Sequence, residues 1–485
     1  MENSQNIYQT IKQENSEFLH NIAIVYKKES ISYGKLFEFT DIIRYFLLDG
    51  NVHRGDKVAL KCYDSPECII ISLGILAAGG IIVPVSPAMP ESESEKLCRK
   101  IEVDFFIDKS TGNPGADSSF CCCGILMELK CFKNTTLPEK KQKYDISALN
   151  IAFIRFTSGT TSESKGVMIS HEAVIERTDA ANQGLGVDRN DSVLWVLSMA
   201  YHFVVTILLF LRRGVKLVIC HEPVLVSMAQ LLRENRITFL YATPVHYRMM
   251  IESDAFKPDM LMNINTAIST AMSLNTATAS GFRQKFGIVL RQAYGIIEIG
   301  LPCIGDASGE FYAGLVGKPL PGYDIKLTYL DGSDAGRILV KGPGMFAGYL
   351  KPLRLASAIC KDGYFDTGDM GRIEKDGSLV ICGRKKQIIN FAGMKIFPYE
   401  VENVILGCDS VEDVQVFAVE DPQYGEIPKA EIVVKPGLDR NEVIEDIKKN
   451  CYTRLSTYKV PKIFEAVDHI EKTLSGKSRL RQEDK

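Results

Sequence analysis

The segment Ile154-Arg-Phe-Thr-Ser-Gly-Thr-Thr-Ser-Glu-Ser-Lys-Gly166 follows an apolar run and gathers hydroxyls, a glycine and a lysine. Backbone N–H groups, hydroxyls and an ammonium are what a polyphosphate asks of a protein loop. The spacing is not that of the mononucleotide P-loop, where Gly stands directly before Lys-Ser or Lys-Thr; here Ser164 precedes Lys165 and Gly166 follows it. Clusters rich in Gly, Ser and Thr also occur as plain polar hairpins, so this loop alone leaves both readings open. Other chemistry-bearing segments follow in order: Met199-Ala-Tyr-His-Phe203, Ser269-Thr-Ala-Met272, Tyr294-Gly-Ile-Ile-Glu298, Gly363-Tyr-Phe-Asp-Thr-Gly-Asp369, Gly383-Arg-Lys-Lys386, Gly393-Met-Lys-Ile-Phe-Pro-Tyr-Glu-Val-Glu402 and Leu474-Ser-Gly-Lys-Ser-Arg479.

The elements that must position these residues alternate in period. Short β-branched runs at Lys57–Lys61, Gly80–Pro84, Val215–Ile219 and Ile237–Tyr241 are separated by helix-period stretches, which favours an α/β architecture with parallel-rich sheets. A helix is expected over Ser32–Leu48, with Tyr33, Leu36, Phe37, Ile42, Ile43 and Phe46 on one apolar face. The uncharged stretch Cys68–Val85 approaches membrane-span length, but Gly79-Gly80 and Pro84 make it a buried helix running into a buried strand. Beyond residue 310 short strands and turns predict a small β-barrel-like unit, with turn signals at Asp331-Gly332 and Asp376-Gly377. After Gly383 the pattern is strand, helix, strand, helix, strand, at about 388–391, 398–406, 413–419, 441–454 and 463–467. The expected division is a large domain over 1–383, with its β-rich part at about 310–383, and a small mobile α+β domain over 384–485.

Composition excludes several classes. With 57 Lys and Arg against 60 Asp and Glu among 485 residues, no charge excess points to nucleic acid or an anionic membrane. Thirteen cysteines and no secretory leader predict reduced thiols and a cytoplasmic location. Adjacent Cys121-Cys122-Cys123 lack the spacing of metal ligands.

Taken together, these segments resemble, in order and spacing from about residue 20 to 481, the adenylate-forming superfamily of acyl-CoA synthetases, peptide-synthetase adenylation domains and firefly luciferases. The resemblance implies an ATP triphosphate cradle from Thr157, Ser158, Gly159, Thr160, Thr161 and Lys165, with Thr161 and Glu298 on Mg²⁺. It implies an adenine pocket of Ser269, Thr270, Ala271, Tyr294 and Gly295. Asp369 would accept from both ribose hydroxyls, which suits an acceptor-only carboxylate, and Arg384 would contact ribose or phosphate. Lys477 would bridge the substrate carboxylate and α-phosphate as charge builds in the transition state, where bottom-up it reads as a solvated tail residue. His202 would border the acyl pocket, although a single His beside apolar residues is more often a packed side chain. Gly393 would line the tunnel for the thiol arm and Lys386 would be the hinge.

The implied activity is acid–thiol ligation through acyl-AMP, with coenzyme A as thiol and an aromatic or medium-length carboxylic acid as substrate, the pocket walls being Tyr201, Phe203, Tyr241, Pro244 and Ile297. A phosphopantetheine arm on a separate carrier protein is the alternative thiol, since the tunnel implied by the resemblance accommodates the same arm. Departures from the family pattern are Ser162 and Ser164 in the loop, Met199 for a frequent Pro, Met272-Ser273 for Ala-Pro, and Ile297 for a Thr hydroxyl facing the α-phosphate. Ile297, Ser162 and Ser164 motivate a rival reading, a nucleotide-binding protein with weakened catalysis.

Overall fold

The structure, a computed structural model, describes residues 5–109, 129–131, 146–156, 165–307, 311–329 and 333–471. The sequence expectations at Thr157, Ser158, Gly159, Thr160, Thr161, Ser162, Ser164, Cys121–Cys123, Asp331-Gly332 and Lys477 lie outside the described residues.

Two eight-stranded sheets carry the large part of the chain. In spatial order the first runs Gly300–Ile304, Leu290–Ile296, Thr266–Ser269, Phe239–Ala242, Ser192–Trp195, Lys216–Ile219, Ile22–Tyr26 and Glu29–Ser32, parallel inside and antiparallel at both edges. The second is built around parallel Ile151–Phe156, Ile81–Val85, Lys57–Cys62 and Phe105–Lys109, with Gly166–Ser170 pairing antiparallel beside Ile151–Phe156. One core joins Trp195, Leu217 and Tyr241 of the first sheet to Leu60, Ile82 and Phe153 of the second through the helices Tyr33–Asp49, Pro66–Ala78 and His171–Leu185. The outer face of the first sheet is covered by Val224–Glu234, Pro244–Glu252 and Thr276–Phe286, and that of the second by Glu91–Ile101. Sheets covered on both faces need strands that are apolar throughout, which is why these strands read as unbroken β-branched runs.

Local signals set the helices. Ser32 accepts from the Lys35 N–H at 3.3 Å and caps Tyr33–Asp49. Its buried residues are Tyr33, Leu36, Phe37, Phe39, Thr40, Ile43 and Leu47, while Ile42 and Phe46, expected inside, are 51% and 40% exposed. They stand one position before Ile43 and Leu47 of the buried stripe, about 100° around the helix. The stretch Cys68–Val85 resolves into the helix Pro66–Ala78, stopped by left-handed Gly79, and the strand Ile81–Val85. Among the described residues no helix is long and apolar enough to cross a membrane.

A five-stranded antiparallel sheet follows, in the order Leu315–Gly317, Leu379–Arg384, Phe365–Ile373, Gly336–Lys341, Asp324–Tyr329. The last sheet centres on Gly425–Val434, which pairs with Val411–Asp421 and Ile389–Phe391 antiparallel and with Ile463–Val467 in parallel. Sequence reading missed this strand because Gly425, Glu426, Pro428 and Lys429 give turn and charge signals at its start. The helices Pro398–Leu406 and Arg440–Arg454 cover it. This last unit touches the first sheet's layer, where Arg248 donates to the Glu412 carbonyl at 2.8 Å.

Candidate active site

Four adjacent parallel strands of the first sheet point their carboxyl ends the same way, and each delivers a candidate segment there. Ser192–Trp195 leads to Met199–His202, Phe239–Ala242 to Thr243 and Pro244, Thr266–Ser269 to Thr270 and Ala271, and Leu290–Ile296 to Ile297 and Glu298. The carboxyl edge of a parallel sheet is where side chains from successive loops converge on a ligand. In the second sheet the polar loop leaves the carboxyl end of Ile151–Phe156.

Asp369 is 4% exposed, and its partners include Tyr294 and Arg384. Tyr294 donates its hydroxyl to Oδ2 at 2.7 Å, and Arg384 Nε sits 2.7 Å from Oδ1. Asp369 and Arg384 face each other in the register of neighbouring strands Phe365–Ile373 and Leu379–Arg384, which puts the ion pair at the mouth of the crevice. An ionised carboxylate is acceptor-only with two lone pairs on each oxygen, the chemistry that vicinal hydroxyls ask for. Burial, then the Asp369 charge, hold the Tyr294 phenol well above its ordinary range, so it stays a donor. Gly295 beside it cannot be replaced freely: a Cβ there would stand 2.2 Å from the Gly300 carbonyl oxygen.

Glu298 is 8% exposed and accepts from the Tyr349 hydroxyl at 3.1 Å. Burial raises its proton affinity, opposed by the Tyr349 hydrogen bond and by the guanidinium groups of Arg384 and Arg155. Tyr349 also carries Lys165, whose Nζ lies 4.9 Å from the ring centre, so one side chain links the lysine of the polar loop to the carboxylate. Arg155 lies over Tyr201 at 5.4 Å from the ring centre, and burial brings it down to about 10 against the favourable charges of Tyr201 and Glu298. Behind Glu298 stands fully buried Arg177. It donates from Nε to the Gly344 carbonyl at 2.9 Å, from Nη2 to the same oxygen, and from Nη1 to the Ile297 carbonyl at 3.1 Å. Glu176 accepts from the Gly344 N–H at 2.9 Å, so the two loops are clamped together. Among the described residues no three His, Cys, Asp or Glu side chains cluster as metal ligands. The donor present, a single buried carboxylate, fits Mg²⁺ completed by substrate phosphates.

His202 ends the turn Met199–His202 and opens a π-helical turn, Phe203–Ile207, in which the Leu208 N–H reaches the Phe203 carbonyl. Such turns re-aim side chains and concentrate at functional sites. The His202 ring is 6.5 Å from Trp195, which stacks on Tyr241 at 6.4 Å, forming an aromatic wall. The turn is tethered by the Met199 N–H, which donates to Asp64 at 2.6 Å, a bond that a proline at 199 could not make. Burial lifts the Asp64 carboxyl to about 6. Beside this turn lies a small apolar cavity of about 20 Å³ lined by Cys62, Cys68, Phe153, Met199 and Phe203. Ser269 is fully buried, Thr270 lies 3.5 Å from the Tyr241 hydroxyl, and Ala271 is held at φ +67°. The side chain of Ile297 is 9% exposed within the apolar core.

Tyr294, Asp369 and Arg384 thus meet, Glu298 meets Tyr349 and through it Lys165, and His202 packs beside Trp195 at the same edge of the first sheet. Lys386 lies in the single turn Lys385–Gln387 joining the five-stranded sheet to the last unit. Gly393 occupies a hairpin tip between Ile389–Phe391 and Met394–Ile396 at φ +88°, with open space where a Cβ would go. Sequence reading missed Arg155, Arg177 and Tyr349. Arg155 stood inside the quoted loop segment as an unexpected charge in an apolar strand; the other two carried no local signal.

Comparison with known proteins places the chain in a family. Relatives include the long-chain-fatty-acid–CoA ligase of Bacillus subtilis (strain 168), 26% identical over 94% of this chain and 91% of that protein. The 2-succinylbenzoate–CoA ligase of Listeria innocua is 27% identical over 94% of each. Among solved structures, ATP-bound MatB from Rhodopseudomonas palustris superposes with a TM-score of 0.82 at 22% identity, over 98% of this chain and 97% of that one. O-succinylbenzoate coenzyme A synthetase (MenE) from Bacillus subtilis in complex with AMP gives 0.81 at 20% identity, over all of this chain and 99% of that one. These two show a shared fold. The AMP-binding enzyme family matches residues 11–350 and its C-terminal domain residues 400–477, so the chain belongs to the AMP-binding enzymes.

Proposed function

We propose that this chain is an ATP-dependent, AMP-forming ligase that joins a carboxylic acid to coenzyme A. In the first step a carboxylate oxygen attacks the α-phosphorus of ATP, the bond to the bridging oxygen breaks, and pyrophosphate leaves. In the second the thiol sulfur attacks the acyl carbon and AMP leaves with the electrons of the acyl–oxygen bond, the thiol proton passing to solvent. The observation that carries this reading is the Tyr294–Asp369–Arg384 cluster beside buried Glu298 at the carboxyl edge of the sheet. It supplies an acceptor for ribose hydroxyls, an aromatic face for a base and a hard oxygen for magnesium.

The residues divide the work. Asp369 binds ribose, Tyr294 borders adenine with Ser269, Thr270 and Ala271, and Lys165 with the loop Thr157–Thr161 holds the triphosphate. Mg²⁺, when bound by Glu298 and Thr161, supplies positive charge to the phosphate oxygens. Lys477 neutralises the charge that builds between carboxylate and α-phosphate, and removing such a donor costs about 10²–10³ in rate. Lys386 is the hinge, and Gly393 approaches the thiol arm after rotation of residues 384–485. The aromatic wall of Trp195, Tyr241 and Phe203 supports an aromatic or medium-length acid.

The test is pyrophosphate release from MgATP across aryl, medium-chain and long-chain acids, for wild type and Lys477→Ala, with the thioester read by mass after adding coenzyme A. Acid-dependent release that collapses in the variant is expected. Silence across the panel with ATP still bound would sink the reading.

A further inference from the structure

Arg155 is the cation of this crevice whose role the adenylation chemistry leaves unassigned. Arg384 is paired with Asp369, Lys165 rests on Tyr349, and Arg177 spends its donors on two carbonyls. Arg155, by contrast, has its Nε shut from solvent and without a hydrogen-bond partner. It extends from the strand Ile151–Phe156 on the same face as Phe153, two residues earlier, because side chains two apart on a strand point the same way. Phe153 meets Phe203 at 6.1 Å between ring centres, and Arg155 meets Tyr201 at 5.4 Å. The turn that carries Tyr201, His202 and Phe203 therefore lies along this strand face, with the guanidinium at its end nearest the polar loop and within the field of Glu298.

That position is the border between the acid wall and the phosphate side. A guanidinium presents parallel donors that match a carboxylate in a fork, and stacking on an aromatic ring leaves that fork free. A buried polar group without a partner is costly and is retained where a ligand satisfies it. Ile297, at the position where the family resemblance implies a threonine, offers no hydroxyl.

We propose that Arg155 is the counter-ion that receives the carboxylate of the acid substrate and holds it beside the α-phosphate, in place of a hydroxyl at position 297. This rests on the adenylation reading above for its catalytic consequence, but the carboxylate site itself stands on geometry. Arg155 thereby makes the enzyme select an ionised acid over an uncharged isostere of the same length.

Trp195, the one tryptophan of the chain, stacks on Tyr241 beside His202, so its fluorescence reports the acid wall independently of turnover. Titration with octanoate and with octanamide compares carboxylate with carboxamide. Wild type is expected to prefer octanoate by about 10–100-fold, the range of a charge-assisted pair against an unpaired one. Arg155→Gln and Arg155→Met reduce that preference to within about threefold, and Arg155→Lys recovers part of it, a point charge lacking the fork. Thermal midpoints select the variant that folds as wild type. In pyrophosphate exchange with octanoate, the same variants raise KM for the acid and leave KM for ATP within about twofold. Retained preference in the folded variant, or no preference in wild type, overturns the assignment. Carboxylate preference without any acid-dependent pyrophosphate release would instead refute adenylation and leave the Arg155 site standing.

Discussion

Replacing Arg177 by Met tests how the carboxylate of Glu298 is held. Arg177 is fully buried and makes three hydrogen bonds to the carbonyls of Gly344 and Ile297, joining the loop before Glu298 to the loop before Phe346. Met keeps much of the aliphatic volume and removes every donor. Two buried carbonyl oxygens then lose their partner, at about 1–3 kcal/mol each. Part of that is offset because a buried guanidinium, already drawn down to about 10 by desolvation, no longer has to be kept from water. The net is about 3 kcal/mol, which at roughly 2 °C per kcal/mol for a domain of this size lowers the first calorimetric transition by about 6 °C. Glu298 also loses a positive neighbour, so its proton affinity, raised by burial, rises further and the acid limb of the pH–rate profile moves up. Arg177→Lys should recover little, because one ammonium cannot reach both carbonyls in a fork. A midpoint within about 1 °C of wild type together with an unmoved acid limb would refute the clamp and the reasoning behind it.

Asp369→Asn removes the charge that Tyr294 and Arg384 address, and the expected rise in KM for ATP is about 10–100-fold with little change in melting, since Arg384 is half exposed; unchanged nucleotide affinity speaks against the ribose assignment. Gly295→Ala drives a Cβ to 2.2 Å from the Gly300 carbonyl and should abolish ATP binding or soluble expression, whereas Gly393→Ala meets open space and pays only the left-handed strain, about 1–2 kcal/mol. Calorimetry on the two variants distinguishes them, and equal stability would contradict the packing. Glu402 accepts from the Val416 N–H and burial lifts its carboxyl from 4.5 to about 7, so between those pH values the folded chain holds a proton that the unfolded chain has lost. Stability from this group therefore falls as pH rises through that window, and Glu402→Gln should melt higher than wild type at pH 8 while matching it near pH 4. Parallel melting curves across the whole range would show that Glu402 titrates normally.

Much of the architecture is legible locally. Strands buried on both faces announce themselves as apolar β-branched runs, and Ser32, Ser65 and Gly79 mark helix ends by chemistry that needs no tertiary partner. Where local signals conflict, reading fails: Gly425–Val434 opens with charges and a proline yet forms the centre of the last sheet, because its neighbours on both sides supply the hydrogen bonds that its sequence does not advertise. Ile42 and Phe46 fail for the opposite reason, being apolar residues that the helix simply turns away from the core.

The sequence by itself determined the reactive inventory and its order: a hydroxyl-rich loop with Lys165, then Tyr294 with Glu298, then Asp369, Arg384 and a lysine near the end. These rest on residue type and spacing, which chain connectivity preserves. Tertiary structure decided who meets whom. Tyr294 reaches Asp369 across 75 residues, Tyr349 reaches Glu298 across 51, and Arg177 reaches Gly344 across 167. Such pairs leave no period in the sequence, because they form only when helices, loops and separate sheets distant in the chain pack against one another. Arg155 shows the difference most clearly: in the sequence it is a charge interrupting an apolar strand, and in the fold it is a guanidinium laid over Tyr201 with its Nε buried and without a partner.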